Sequence, residues 1–134
     1  MAKAKLILCD TNIIIEAFRG NPEILAELDL IGYQNLYIND ITIAEIYFGM
    51  KRKEARKTKE LLNKFSQISI DQNISSKMLS LLFEFGDRAG IPDSIIAATS
   101  LLGGFQLFTL NRKDFDFIKG IKLYNPRSIQ IKSV

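Results

Sequence analysis

The chain has no histidine, no tryptophan, one cysteine and three prolines among its 134 residues. Each absence removes a chemistry. Without histidine there is no Ser-His-Asp triad, no Cys-His pair, no imidazole general base and no histidine-ligated zinc or iron. The single cysteine, Cys9, makes neither an intrachain disulfide nor a thiolate metal cluster, and inside its apolar run it reads as a small buried hydrophobe in a reducing compartment. Long hydrophobic runs are missing too. Those around Leu6 to Cys9 and Ile95 to Leu102 fall far short of the roughly 20 residues a bilayer requires. Four apolar residues before Asp10 are too few for a signal-peptide core. These absences predict a cytoplasmic protein with no membrane contact. Any catalysis falls to carboxylates, lysine or arginine, hydroxyls, and a hard cation held by carboxylates.

What is present is ordinary for one globular domain spanning 1–134: 47% hydrophobic and 25% charged residues. Ala4 to Cys9 ends in a short continuous apolar run, as a strand buried on both faces would. Asp10-Thr-Asn closes it and suits a helix N-cap. Short helices are expected over Ile13 to Phe18 and Pro22 to Ile31, a strand at Leu36-Tyr-Ile, and a helix over Asp40 to Met50. A further helix opens with the basic residues after Met50, and Ile68 to Ile70 reads as a strand. Ile74, Met78, Leu81, Leu82 and Phe85 form one helical stripe, with Leu79 and Phe83 off it. This is more apolar surface than one core-facing side needs, so the helix either meets another subunit or is buried on two sides. A nearly all-round apolar helix runs from Asp93 to Leu102. Gln106 to Thr109 and Ile121 to Tyr124 read as strands flanking a short helical turn at Arg112 to Phe117, and the tail after Pro126 is peripheral. Strands alternating with helices predict an α/β fold with a central, mainly parallel sheet.

Charge is uneven. Eighteen basic against fifteen acidic residues give +3, and six of nine residues from Lys51 to Lys59 are basic: Lys51, Arg52, Lys53, Arg56, Lys57 and Lys59. Such a run is either a solvated helix face or a footprint for a polyanion.

Four acids stand out. Asp10 follows the first strand, where parallel sheets bind ligands, though it also suits an N-cap. Glu45 lies in a helix with few other polar residues and needs a partner, water or a proton; Thr42-x-x-Glu45 also fits a capping box. Asp93 sits in the first turn of the most apolar helix, where a charge complements the dipole. Asp114 follows the Gln106 strand, with Asn111 three residues ahead. In a parallel sheet these acids could collect at one edge, and crowded carboxylates cannot all stay ionised without a cation. Oxygen-only ligation selects Mg²⁺ or Mn²⁺.

Four segments together resemble the PIN domain, and within it the VapC-type toxins of bacterial and archaeal toxin–antitoxin pairs. They are Leu6-Ile-Leu-Cys-Asp-Thr-Asn, Ile41-Thr-Ile-Ala-Glu-Ile-Tyr-Phe-Gly, Ile91-Pro-Asp-Ser-Ile-Ile-Ala-Ala-Thr and Thr109-Leu-Asn-Arg-Lys-Asp-Phe. The resemblance covers roughly Lys5 to Tyr124 and implies a single PIN domain with a three-layer fold. It implies a Mg²⁺-dependent endoribonuclease, Mn²⁺ being the alternative ion, with Asp10, Glu45 and Asp93 in the acidic site. Asp114 is the fourth acid and Asn111 its alternate, with Thr109 and Asn12 in support. Asp10 and Asp93 would hold the cation, Glu45 and Asp114 completing its shell directly or through water. Products would end in 5′-phosphate and 3′-hydroxyl. The resemblance further implies a homodimer, a small VapB-type antitoxin as partner, and operator DNA reached only through that complex. The basic run, beginning six residues after Glu45, then reads as an RNA-binding surface. Two rivals are a non-catalytic RNA-binding or interaction module with the same fold, and a phosphoaspartate-type α/β domain. The second lacks the neighbouring acid such chemistry uses, since Asn12 stands there.

Overall fold

The structure, a computed structural model, describes residues 5–127. The expected strand start at Ala4 and nearly all of the tail after Pro126 lie outside the described residues. Four strands, β1 (Ile7–Cys9), β2 (Leu36–Asn39), β3 (Ser66–Ile68) and β4 (Gln106–Phe108), form one parallel sheet in the order β3-β2-β1-β4. Among the described residues six helices flank it: α1 (Thr11–Phe18), α2 (Pro22–Ile31), α3 (Asp40–Gly49), α4 (Ala55–Leu62), α5 (Gln72–Phe85) and α6 (Ile91–Gly103).

The alternation of side chains along β1 divides the core. Ile7 and Cys9 point to one side and pack with Leu36, Ile38, Phe108, Ile13, Ile24 and Leu28. Leu8 points to the other and packs with Leu107, Leu81, Ile96, Ala97 and Ala98. This gives the expected three layers, and burial of β1 on both faces is why its sequence is a continuous apolar run. Four of the described helices start where the chain supplies a side-chain cap. Asp10, Asn39 and Asp71 accept backbone N–H bonds at the starts of α1, α3 and α5, and Asn21 caps α2 ahead of Pro22. The small residues of α6 let it lie against α5 and the sheet, with Ser94 through Ser100 all buried. Gly103 must stay bare there, because a Cβ would fall 2.2 Å from the Phe105 ring.

Several expectations need correction. The strand expected over Ile68 to Ile70 lies two residues earlier, because the Ile70 N–H is drawn to the Asp40 carboxylate at 3.3 Å. The strand expected over Ile121 to Tyr124 is a single parallel bridge between Leu107 and Leu123; the chain then leaves towards α2, where Tyr124 is anchored. The basic run does not open a helix directly: Arg52–Glu54 is a 3₁₀ turn whose Glu54 accepts the Lys51 N–H at 2.8 Å, and α4 begins only at Ala55. The short helical or turn segment expected over Arg112 to Phe117 is present, with a 3₁₀ turn over Arg112–Asp114. Two-sided burial of α5 is not found, since Phe83 is 94% and Leu79 61% exposed. No helix among the described residues is long and apolar enough to cross a membrane.

Candidate metal centre

The sheet order sets the location. The strands on either side of β1 are reached by connections running in opposite directions, and such a reversal opens a crevice beyond the strands' C-terminal ends. Asp10 leaves β1 at this point, its N–H bonded to the Phe108 carbonyl of β4 at 2.9 Å. Its side chain, 5% exposed, accepts from the Thr11 N–H at 2.8 Å, the Thr109 hydroxyl at 2.8 Å and the Asn12 amide at 3.1 Å. Asn12 also accepts the Leu110 N–H at 3.2 Å, pinning the chain beyond β4 to the start of α1. The two readings of Asp10 therefore merge. It caps α1 and places its carboxyl group at the crevice.

Glu45 does not lie in a buried helix. Only Thr42 of α3 is fully buried, while Tyr47 and Phe48 face solvent. The capping-box reading also fails, because Asn39 caps α3 and leaves the Glu45 carboxylate free to turn away from Thr42's backbone. Glu45 instead accepts the Thr11 hydroxyl proton at 2.7 Å, across from α3 to α1. Asp93 enters from the first turn of α6, half-buried, and Asp114 from the exposed 3₁₀ turn after β4.

The four acids feel one another. Burial pushes Asp93 up to about 6, helped by the charges of Asp10, Asp114 and Glu45 in that order. Asp10 is also raised, chiefly by burial, with smaller contributions from Glu45 and Asp114; the Thr109 and Thr11 donors oppose the rise. No lysine or arginine relieves this crowding: the ion pairs among the described residues are Arg19–Glu16 and Arg56–Glu60. Nor, among the described residues, do three acids converge into a closed cation cage. The donor set nevertheless fits a hard divalent ion. It offers oxygen only, in charge excess and partly desolvated, and Mg²⁺ commonly takes one or two carboxylates while keeping several waters.

Of the other expected residues, Asn111 is exposed and reaches the site only through its backbone N–H, which bonds the Thr109 hydroxyl at 3.0 Å. Asp114, by contrast, is among the acids whose charge both Asp10 and Asp93 feel. Lys51, Arg52, Lys53, Arg56 and Lys57 are all exposed; Arg56 leans on Glu60 at 3.4 Å and Lys57 covers the Phe18 ring of α1 at 5.2 Å. A mainly apolar groove of about 290 Å³ between α1, α3 and α4 has Glu45 and Arg19 in its wall together with Glu54 and Thr58, and none of these five basic residues lines it.

Sequence reasoning missed Thr11 as more than an alternative cap, and it missed Glu27. That carboxylate is fully buried, accepting from the Tyr124 hydroxyl at 2.5 Å and the Arg127 N–H at 3.0 Å. Its signal was available: Glu27 falls on the Ile24, Leu28, Ile31 stripe of α2.

Residues 7–120 match the PIN domain family. The VapC ribonuclease Y4jK of Sinorhizobium fredii is 27% identical over 137 residues, covering 90% of this chain and 97% of that protein. The plasmid stability protein StbB of Pseudomonas syringae pv. tomato is 30% identical over 138 residues, covering 90% and 98%. Among solved structures, a toxin–antitoxin complex from Klebsiella pneumoniae contains a chain that superposes with a TM-score of 0.75 at 35% identity, over 86% of this chain and 94% of that one.

Proposed function

This chain belongs to the PIN domain family, and from that premise we propose that it is a metal-dependent endoribonuclease, the toxin of a type II toxin–antitoxin pair. What supports the reading is that Thr11 links Asp10 and Glu45 at the C-terminal end of a parallel sheet, where Asp93 and Asp114 add their charge, with no ion pair to any of the four among the described residues. A fold kept only for binding has no need to hold four like charges within reach of one another. The likeness to a VapC ribonuclease and to a toxin–antitoxin complex supports the activity and the partner.

Asp10 and Asp93 would hold the cation, Mg²⁺ or else Mn²⁺, with Glu45 and Asp114 completing its shell directly or through water. When bound, such an ion activates water and offsets charge on the phosphoryl oxygens. Glu45 or Asp114 orients the attacking water and takes its proton. Thr109 and Asn12 keep Asp10 aimed at the crevice. The basic run draws the RNA in, and single-stranded or looped RNA suits a site at a sheet edge, where an unpaired strand can be splayed. A VapB-type antitoxin occupies the toxin in the resting pair and carries it to operator DNA. The exposed Leu79 and Phe83 of α5 suit burial against a second copy, giving a homodimer. The single domain over 1–134 acts in the cytoplasm.

Asp93→Asn tests the site. The variant should keep its circular dichroism spectrum yet lose Mg²⁺-dependent cleavage of a labelled single-stranded RNA, by more than the about 10- to 100-fold cost of losing a supporting hydrogen bond. EDTA should stop the wild type as fully. Undiminished cleavage by the variant refutes the assignment.

A further inference from the structure

Thr11 is the one residue that hydrogen-bonds the side chains of both Asp10 and Glu45 among the described residues. Its backbone N–H bonds Asp10 Oδ1 at 2.8 Å and its hydroxyl bonds Glu45 Oε1 at 2.7 Å. The first bond belongs to the backbone and holds whatever the side chain. The second depends on the hydroxyl alone, and it is the one side-chain hydrogen bond that Glu45 receives among the described residues. Behind it lies Thr42, fully buried, with its hydroxyl oxygen 3.2 Å from that of Thr11. A hydroxyl has one proton. Thr11 gives its proton to a carboxylate that cannot donate in return, so Thr42 is the donor between the two threonines. The three groups form a directed chain, Thr42 to Thr11 to Glu45, running from the core of α3 through the first turn of α1 and back to α3.

We infer that Thr11 is a positioning residue: through its backbone it fixes Asp10, through its hydroxyl it fixes Glu45, and it thereby sets how the two carboxylates face each other and how well the pair receives a divalent cation. The chain explains how Glu45, on a helix of which only Thr42 is fully buried, is held towards α1. A long carboxylate side chain loses rotamer freedom when fixed, and a hydrogen bond from an already ordered hydroxyl lowers the further ordering that cation binding demands. The metal-binding part of the inference stands without the nuclease reading; only its cleavage part rests on that reading.

The test compares Thr11→Val, which keeps shape and backbone but lacks the hydroxyl, with Thr11→Ser, which keeps the hydroxyl. Mn²⁺ affinity is read from the electron paramagnetic resonance signal of the free ion, and thermal unfolding is followed in parallel. The valine variant should bind Mn²⁺ about 10- to 100-fold more weakly, and the serine variant within about 3-fold of wild type. Thr11→Ala, with no β-branch to strain the first turn, repeats the measurement if the valine variant does not fold. In a Glu45→Ala background, Thr11→Val should change Mn²⁺ affinity less than about 2-fold, since the partner it acts through is gone. RNA cleavage should fall in kcat more than it rises in KM. Wild-type Mn²⁺ affinity in the hydroxyl-free variants, or an equal loss with and without Glu45, overturns the inference. Cleavage surviving in Asp93→Asn overturns the nuclease reading instead and leaves the Mn²⁺ comparison to be judged separately.

Discussion

Removing the charge of Asp93 should stabilise the metal-free protein even as it destroys the proposed activity. The Asp93 carboxyl rises from 3.8 to about 6, first through burial and then through Asp10, Asp114 and Glu45. An acid raised on folding binds more protons in the native state than in the unfolded chain over that interval, so stability falls as pH climbs through it and the loss is complete above about pH 6. Two pH units convert to an upper limit of ~3 kcal/mol. Asp93 is only half-buried, and solvent screening reduces this to about 1 kcal/mol. In EDTA at about pH 7.5, Asp93→Asn should therefore unfold about 3–5 °C above wild type in a calorimetric scan. At about pH 4, where the native carboxyl is protonated in the wild type, almost none of the gain should remain. Adding Mg²⁺ should reverse the order. The cation stabilises the wild type by about 2.7 kcal/mol at a concentration 100-fold above its Kd, while the variant lacks one ligand and responds little. An equal gain at both pH values, or none near neutrality, refutes the claim that crowded charge at Asp93 destabilises the empty site.

Two further outcomes follow from features away from the acids. Tyr124→Phe removes the hydroxyl donor to the fully buried Glu27 and should cost about 1.5–3 kcal/mol in urea unfolding, with the cleavage rate at room temperature unchanged; an unaltered midpoint would show that this anchor of the C-terminal segment carries no stability. Replacing Lys51, Arg52 and Lys53 together with alanine should weaken RNA binding and flatten the plot of log affinity against log salt by about 0.7 for each phosphate no longer neutralised, while an unchanged slope removes the basic run from the RNA path.

What could be read from the sequence was whatever has a local cause. The apolar run before Asp10, the Asn21-Pro22 start and the small residues of the Asp93 helix each dictate their element through propensity, capping and burial, and the structure carries all three. The acids could be read too, because a charge in apolar surroundings demands a reason. The edges of the sheet were not legible. Ser66, Gln67 and Ile68 form β3 although two of them are exposed, because Tyr37, Ile38 and Asn39 offer a row of pairing groups that no periodicity in residues 66–68 records. Ile121 to Tyr124 looked like a strand and is a bridge, because Tyr124 is claimed by Glu27 from 97 residues away. The surroundings of Glu45 were hidden for the same reason. Thr11 and Glu45 are 34 residues apart, and only the pairing of β1 with β2 brings the helices that follow them together.

The hydrogen bonds around the acids divide their labour. Asp10 accepts three donors, from Thr11, Asn12 and Thr109, so it is held in place before any ion arrives. Glu45 accepts one, and Asp93 and Asp114 accept no side-chain hydrogen bond among the described residues. Donors that favour a carboxylate's charged form also weaken its pull on a cation, whereas an unpaired, partly buried carboxylate such as Asp93 gains most from one. On the proposed reading Asp10 would supply geometry and Asp93 driving force, and a bound cation would satisfy both at once, since any donor added to relieve Asp93 would compete with the ligand position it leaves open. Arginine or lysine placed there would neutralise the site permanently and end its chemistry.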